Sequence, residues 1–335
     1  MNIRSSIAAA GLALAAACSR SPEPPPPATA APTPPAAQPP AAAAAPSAAA
    51  KGRVIALQRS GFIPEGIEYD QTKRRFLSGS LAEGTIFELH EDGAVTPFVT
   101  DPLLVSSVGI EVDEPRGRLL VANSDRKAFE AGNPGQAKLG VFDLASGERL
   151  AMVDLGAALG TAGDSPRFFA NDLTVDADGN VYVTDSFTSA IYKVSADYRA
   201  SVLHRFTGLP QNEQLNGIVY HPNGYLLVAA DASLYKVPVS NPAAASPVMI
   251  AEPMKGQDGI LWTADGRLAA VSNSADAPQV VAFASTDDWA TARRAGVAKL
   301  AGQATTAAAV GPDIWAVHPH FGDADPPSLE QAVFE

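Results

Sequence analysis

Cysteine is almost absent. Cys18 is the only one in 335 residues, which excludes a disulfide framework and any thiolate-rich metal cluster. Histidine is scarce, at five, and neither H-E-x-x-H nor G-x-S-x-G occurs, so zincin and serine-hydrolase-elbow chemistry lack their motifs. Basic residues are outnumbered, 24 Lys and Arg against 36 Asp and Glu, for a net charge of -12. A nucleic-acid partner needs a basic face to neutralise phosphates, and the balance here is the opposite. Beyond the N-terminus no apolar run reaches the ~20 residues of a spanning helix. What remains is an acidic chain, 46% apolar and 18% charged, long enough for one large domain or two ordinary ones.

Arg4 precedes a short apolar stretch, residues 7–17, and the run Ala15-Ala16-Ala17 then meets Cys18. That arrangement fits a secretory signal with a small-residue cleavage site. It also resembles a bacterial lipoprotein signal, in which the cysteine is lipidated and becomes the new first residue. The lipoprotein pattern prefers Leu three places before the cysteine, whereas Leu14 lies four before it. Plain cleavage to a free periplasmic protein is the alternative. Of the thirty residues 21–50, 11 are Pro and 13 are Ala, a composition with too few bulky apolar side chains to fold. Its proline runs favour an extended, semi-rigid spacer. The expected organisation is a signal over 1–18, a disordered Pro/Ala-rich linker over 19–50 and a folded domain over 51–335. This places the domain in a bacterial cell envelope, facing the periplasm or exterior, with membrane contact only through a lipid on Cys18. Residues 1–50 carry +1 (Arg4, Arg20, Glu23), so the domain itself carries -13, which suits divalent cations better than anionic lipid.

One pattern recurs along that domain: a polar residue, a small or acidic residue, an apolar strand, a turn and a second apolar strand. The copies open at Glu65-Gly66-Ile67, Val108-Gly109-Ile110, Asn171-Asp172-Leu173, Asn216-Gly217-Ile218 and Asp258-Gly259-Ile260, with a weaker sixth near Thr306. Most spacings lie near the length of a four-stranded propeller blade, and short alternating strands between Asp/Gly turns agree. Third strands are expected at 85–89, 140–144, 190–194, 234–237 and 280–284. Fourth strands are expected at 95–99, 149–154, 200–206, 247–251 and 294–300. The last repeat has three strands before the chain ends, and the orphan strand 53–58 supplies its fourth, leaving no free edge. The long gap between the second and third copies implies an insertion, 126–138 plus 157–169, and long loops in compact domains are often functional. The prediction is an all-β, six-bladed β-propeller with four-stranded blades; a pair of β-sandwiches is the alternative.

Equivalent positions in successive blades lie on one ring around the central channel. The ring is Glu65, Val108, Asn171, Asn216, Asp258 and Thr306. Its two carboxylates and two carboxamides offer hard oxygens and no sulfur or imidazole, which selects Ca²⁺ over Zn²⁺ or Cu²⁺, although another divalent cation is possible. Turn chemistry alone also places Asn-Asp, Asn-Gly and Asp-Gly at strand starts, but it does not require the repeat phase.

The triplets Pro64-Glu65-Gly66, Ala170-Asn171-Asp172, Leu215-Asn216-Gly217 and Gln257-Asp258-Gly259 resemble the SMP-30/gluconolactonase family, with paraoxonase and squid-type diisopropylfluorophosphatase as related propellers. The likeness spans most of 60–320, and the flanking runs PEGIEYD and NDLTVDADGNVYVTDS add to it. The resemblance implies that Glu65, Asn171, Asn216 and Asp258 bind a catalytic divalent cation, usually calcium. It implies that Asp258 acts as general base or nucleophile, with Asn171 or Asn216 able to hydrogen-bond a developing oxyanion. The expected substrate is a small-molecule lactone or related ester. A non-catalytic, envelope-tethered propeller that binds a ligand or protein partner is the alternative. Val108, preceded by Ser106 and Ser107, departs from a ligating pattern. Asp172 is either a hydrogen-bonding partner of the site or an ordinary turn acid. His318 and His320 are candidates for catalysis or for a surface loop. Trp262 and Trp315 are expected to pack between blades, and His90, His204 and His221 to be structural or solvated.

Overall fold

The computed structural model describes residues 52–160, 166–210, 213–322 and 325–335. The expected signal and linker over 1–50, with Cys18, lie outside them. Among the described residues no helix is long and apolar enough to cross a membrane.

The described strands form six sheets, antiparallel apart from two short added strands, and together they make a six-bladed β-propeller. Local chemistry sets each hairpin. At the turn after Phe168–Val175, Asp176 Oδ1 accepts from Asp178 N (3.0 Å) and Asn180 N (2.9 Å), and Gly179 supplies φ of +85°. Asp and Gly in that order bend the chain back, the Asp side chain taking up backbone donors of the turn. Each side of a blade then buries apolar residues against its neighbour. Six separate hydrophobic clusters result, one for each junction between adjacent blades, including the junction of the last blade with the first.

The last blade combines Ala307–Val310, Asp313–His318 and Ser328–Ala332 with Val54–Ala56 from the start of the domain. Val54, Ile55 and Ala56 pair antiparallel with Glu330, Leu329 and Ser328. The expected closure therefore forms, over a shorter strand than 53–58.

Two blades depart from the expected four strands. The outer strand expected at 247–251 is split. Ser246–Pro247 pairs within its own blade, whereas Met249–Ile250 runs parallel to Thr291–Lys299 of the next. The ladder to Ser233–Pro238 runs one residue past Pro247, where Val248 N donates to Leu234 O (2.7 Å), and the chain changes partner at Met249, whose N donates to Ala290 O (3.0 Å). In the third blade, Gly135–Gln136 from the insertion adds a fifth strand parallel to Phe168 and Phe169. The insertion also carries two short helical turns, Arg126–Phe129 and Gly156–Leu159.

Candidate functional site

The ring residues sit at the starts of the innermost strands: Glu65 in Pro64–Asp70, Asn171 in Phe168–Val175, Asn216 in Leu215–His221 and Asp258 in Gln257–Trp262. In five blades the ladder gains one residue there. The register runs Pro64↔Ser80 then Ile67↔Ser78, and repeats at Ser107/Ile110, Ala170/Leu173, Leu215/Ile218 and Gln257/Ile260. Each recurring triplet is thus a β-bulge, the device that re-aims a side chain and tightens local twist.

The second residue of each bulge explains the recurring glycine. A Cβ at Gly109 would lie 2.6 Å from Asn171 O, and one at Gly217 would lie 2.5 Å from Asp258 O. At Gly66 and Gly259 it would collide with Val108 O and the Thr306 side chain. Successive bulges therefore abut, and Thr305 Oγ1 donates to Glu65 O (2.9 Å) to close the ring. Only the third blade carries a side chain at this position. Asp172 uses it to reach the next blade, where Oδ2 accepts from Ile218 N (3.2 Å). Asp172 is thus built into the blade junction beside the site rather than into a solvent-facing turn.

Below the ring is a channel cavity of about 220 Å³, whose lining includes Glu65, Glu68, Glu111, Asp172 and Asp258 and no Lys, Arg or His. Burial raises all five carboxyls, and repulsion from neighbouring carboxylates adds to the rise at Glu65, Glu68, Glu111 and Asp258. Asp172 and Asp258 are each pushed up to about 7 and Glu68 to about 8. Glu65 rises through burial and then the charges of Asp258 and Asp172, and Glu111 through burial and then those of Glu68, Asp172 and Asp113. The nearby arginines are committed elsewhere: Arg75 to Asp70 (3.0 Å) and Arg118 to Asp113 (2.6 Å). Clustered carboxyls with no neutralising side chain need protons or a cation.

The four ring residues are tied to one another and to their surroundings by hydrogen bonds and charge. The Asp258 charge raises Glu65, Asn216 hydrogen-bonds Asp258, and Asn273 Nδ2 donates to Asp258 Oδ2. Asn171 Nδ2 donates to Ser186 Oγ (2.9 Å), and Ser186 Oγ donates to Leu215 O (2.7 Å). This fixes the end of the Asn171 amide that faces Ser186. Among the described residues no three His, Cys, Asp or Glu side chains are grouped to hold a metal unaided. Two carboxylates supplemented by amide oxygens nevertheless fit the donor chemistry of a hard divalent ion, which accepts carbonyl and water oxygens for its remaining positions.

The other candidates separate clearly. Val108 is fully buried and apolar, while Ser106 and Ser107 donate to Leu81 O (3.0 Å) and Gly84 O (2.7 Å), so this blade offers no ligand. His318 is buried rather than in a surface loop. Its Nδ1 is 3.0 Å from Gln303 O, and its Nε2 is 3.0 Å from Glu330 Oε2, placed for charge pairing but off the axis of a hydrogen bond. Trp315 packs edge-on to Phe76 across the first and last blades, with ring centres 5.8 Å apart. Trp262 packs on Trp289 but also lines the channel.

Sequence reasoning missed Glu68, Glu111 and Asn273. The first two had a signal: Ile67-Glu68 and Ile110-Glu111 stand at the same phase after their bulge glycines. Asn273 had none, because it follows the second strand of its blade and reaches Asp258 only through the hairpin.

No protein-family model matches the chain, and no curated protein matches it in sequence. Solved structures do match in shape. A gluconolactonase from Xanthomonas campestris is 17% identical, with a TM-score of 0.57 over 85% of this chain and 90% of that one. Regucalcin from Agrobacterium tumefaciens, a calcium-binding protein, is 17% identical with a TM-score of 0.58 over 85% and 94%. Virginiamycin B lyase from Staphylococcus aureus is 12% identical with a TM-score of 0.56 over 84% and 99%. At such identities the likeness is one of fold, and that fold is the six-bladed β-propeller.

Proposed function

We propose that this propeller is a calcium-dependent hydrolase of a lactone or related ester, with Glu65, Asn171, Asn216 and Asp258 as cation ligands. The observation that supports it most is the convergence of Glu65 and Asp258 on one bulge ring, in a channel with no basic side chain in its lining. Two of the shape-related proteins are described as a gluconolactonase and a calcium-binding protein, which lends the reading further support. A bound cation would balance the carboxylates and polarise the scissile carbonyl as a Lewis acid.

The chain's own groups do the rest. Asn273 and Asn216 both hydrogen-bond the Asp258 carboxyl, and Asp258 would take a proton from an attacking water or attack the carbonyl itself. Burial raises Asp258 to about 7 in the metal-free protein, and a cation bound at the ring would lower that value and keep Asp258 ionised at neutral pH. Asn171 and Asn216 each commit an amide N–H within the protein, which favours their oxygens as ligands over a role as oxyanion donors. The proposal extends to an envelope location, supported by the composition of residues 1–50.

The test is hydrolysis of aldonolactones, aliphatic lactones, an aryl ester and a phosphotriester, after EDTA treatment and after calcium add-back. Activity that vanishes and returns with calcium is the expected result. No turnover with or without metal would instead favour a tethered binding propeller.

A further inference from the structure

The last blade enters the ring differently from the others. The ladder of Ala307–Val310 with Asp313–His318 gains no extra residue. What this blade brings to the ring is the connector 301–306, which follows Thr291–Lys299. Thr305 in that connector is buried and touches both sides of the ring. Its Oγ1 donates to Glu65 O (2.9 Å), and its carbonyl accepts from Gly259 N (2.9 Å), next to Asp258. Two residues earlier, Gln303 Nε2 donates to Asn273 O (2.8 Å) and to Asn273 Oδ1. Asn273 Nδ2 donates in turn to Asp258 Oδ2.

These bonds fix the direction of two amides in sequence. The oxygen and nitrogen ends of an amide have nearly the same shape, so its partners decide which end points where. A backbone carbonyl cannot donate, so the end of Gln303 that faces Asn273 O is its nitrogen. The second proton of that nitrogen needs an acceptor, which turns Asn273 Oδ1 toward Gln303. The remaining end, Nδ2, then faces Asp258. Reversing Asn273 would set its oxygen against a carboxylate oxygen and its nitrogen against the Gln303 amide, two mismatches at once. Gln303 is itself held from behind. Its carbonyl accepts from His318 Nδ1 (3.0 Å), and Ala301 N donates to Glu330 Oε2 (2.9 Å). His318 is buried with Nε2 3.0 Å from Glu330 Oε2, so the connector is anchored in the body of the last blade.

We infer that Gln303 is a positioning residue for Asp258: from the last blade it sets the direction of the Asn273 amide, and so keeps a donor rather than an acceptor on the Asp258 carboxyl. Gln303 touches no ring residue itself and acts through Asn273 alone. The consequence for cation binding rests on the reading of Asp258 as a ligand; the direction of the amide does not.

The experiment reads the amide direction and its consequence separately. In the full chain treated with EDTA, the Asn273 side-chain amide is assigned by nitrogen–proton NMR as the signal that Asn273→Ala removes. Its proton on the carboxylate should lie downfield of a free amide and exchange slowly. Gln303→Ala removes the donor, and Gln303→Glu, of the same size, sets carboxylate oxygens against both Asn273 carbonyls. In each variant the signal should move upfield and exchange faster, with an unchanged circular dichroism spectrum. Calcium titrations then follow the consequence. Gln303→Ala should lower affinity about two- to tenfold, and adding it to Asn273→Ala should cost nothing further, because it acts only through that amide. An Asn273 signal unmoved by both variants would overturn the proposal, as would losses that add in the double variant. A wild type that binds no calcium would remove the cation reading and leave the amide signal to decide the direction.

Discussion

At the scale of single residues, the site depends on a chain of hydrogen bonds behind Asp258. Asn273 Nδ2 donates to Asp258 Oδ2, Gln303 Nε2 donates to Asn273 Oδ1, and the Gln303 carbonyl faces His318 Nδ1. His318 in turn faces Glu330, which accepts from Ala301 N (2.9 Å). Asp258 is thus held from the last blade as well as from its own. Asp258→Asn should abolish calcium binding and hydrolysis together, as calorimetry and a lactone assay would show. Asn273→Ala removes only the support and should cost about 10- to 100-fold in calcium affinity or turnover with an unchanged circular dichroism spectrum. Full activity in that variant would remove Asn273 from the site. Asp258 was legible in the sequence because it sits at the repeat phase. The relay was not, because Asn273, Gln303 and His318 belong to two blades and share no spacing.

At the scale of elements, the bulge does two jobs with one extra residue. It presents the ring side chain and brings the following residue against the next blade. Glycine is needed for the second job, and the clash at Gly66 is with the carbonyl oxygen of Val108, which cannot rotate away. Gly66→Ala should therefore destabilise the protein by about 1–3 kcal/mol, as expected for overpacking, measured as a shift in the denaturant midpoint. A neutral effect would mean that the first two blades separate more readily than their contact suggests. The repeat was readable because strands, turns and glycines recur in order. The split after Pro247 was not, since a strand that changes blades keeps the same alternating composition as one that does not.

At the scale of the whole molecule, closure and charge set stability. Val54–Ala56 pairs with Ser328–Ala332 and buries Ile55 and Leu57 between the last and first blades. Ile55→Asp and Leu57→Asp should each loosen that junction and lower the melting temperature without touching the ring. The channel carboxyls all titrate higher in the folded protein than in an unfolded chain. Metal-free protein therefore holds more protons than its unfolded form between about pH 4 and 8, and its stability falls as pH rises through that window. Thermal melts in EDTA should show this fall, and calcium should flatten it by replacing the protons. A melting temperature that rises over the window in EDTA would contradict the assignment of the channel charges.

The most direct measurement is an isothermal titration of calcium into EDTA-stripped protein at neutral pH, with Glu65→Gln and Asp258→Asn alongside. The ring should bind one calcium in the wild type, with protons released as it binds and heat lost in both variants. Absence of binding in the wild type, or binding unchanged by either substitution, would contradict the ring as a cation site.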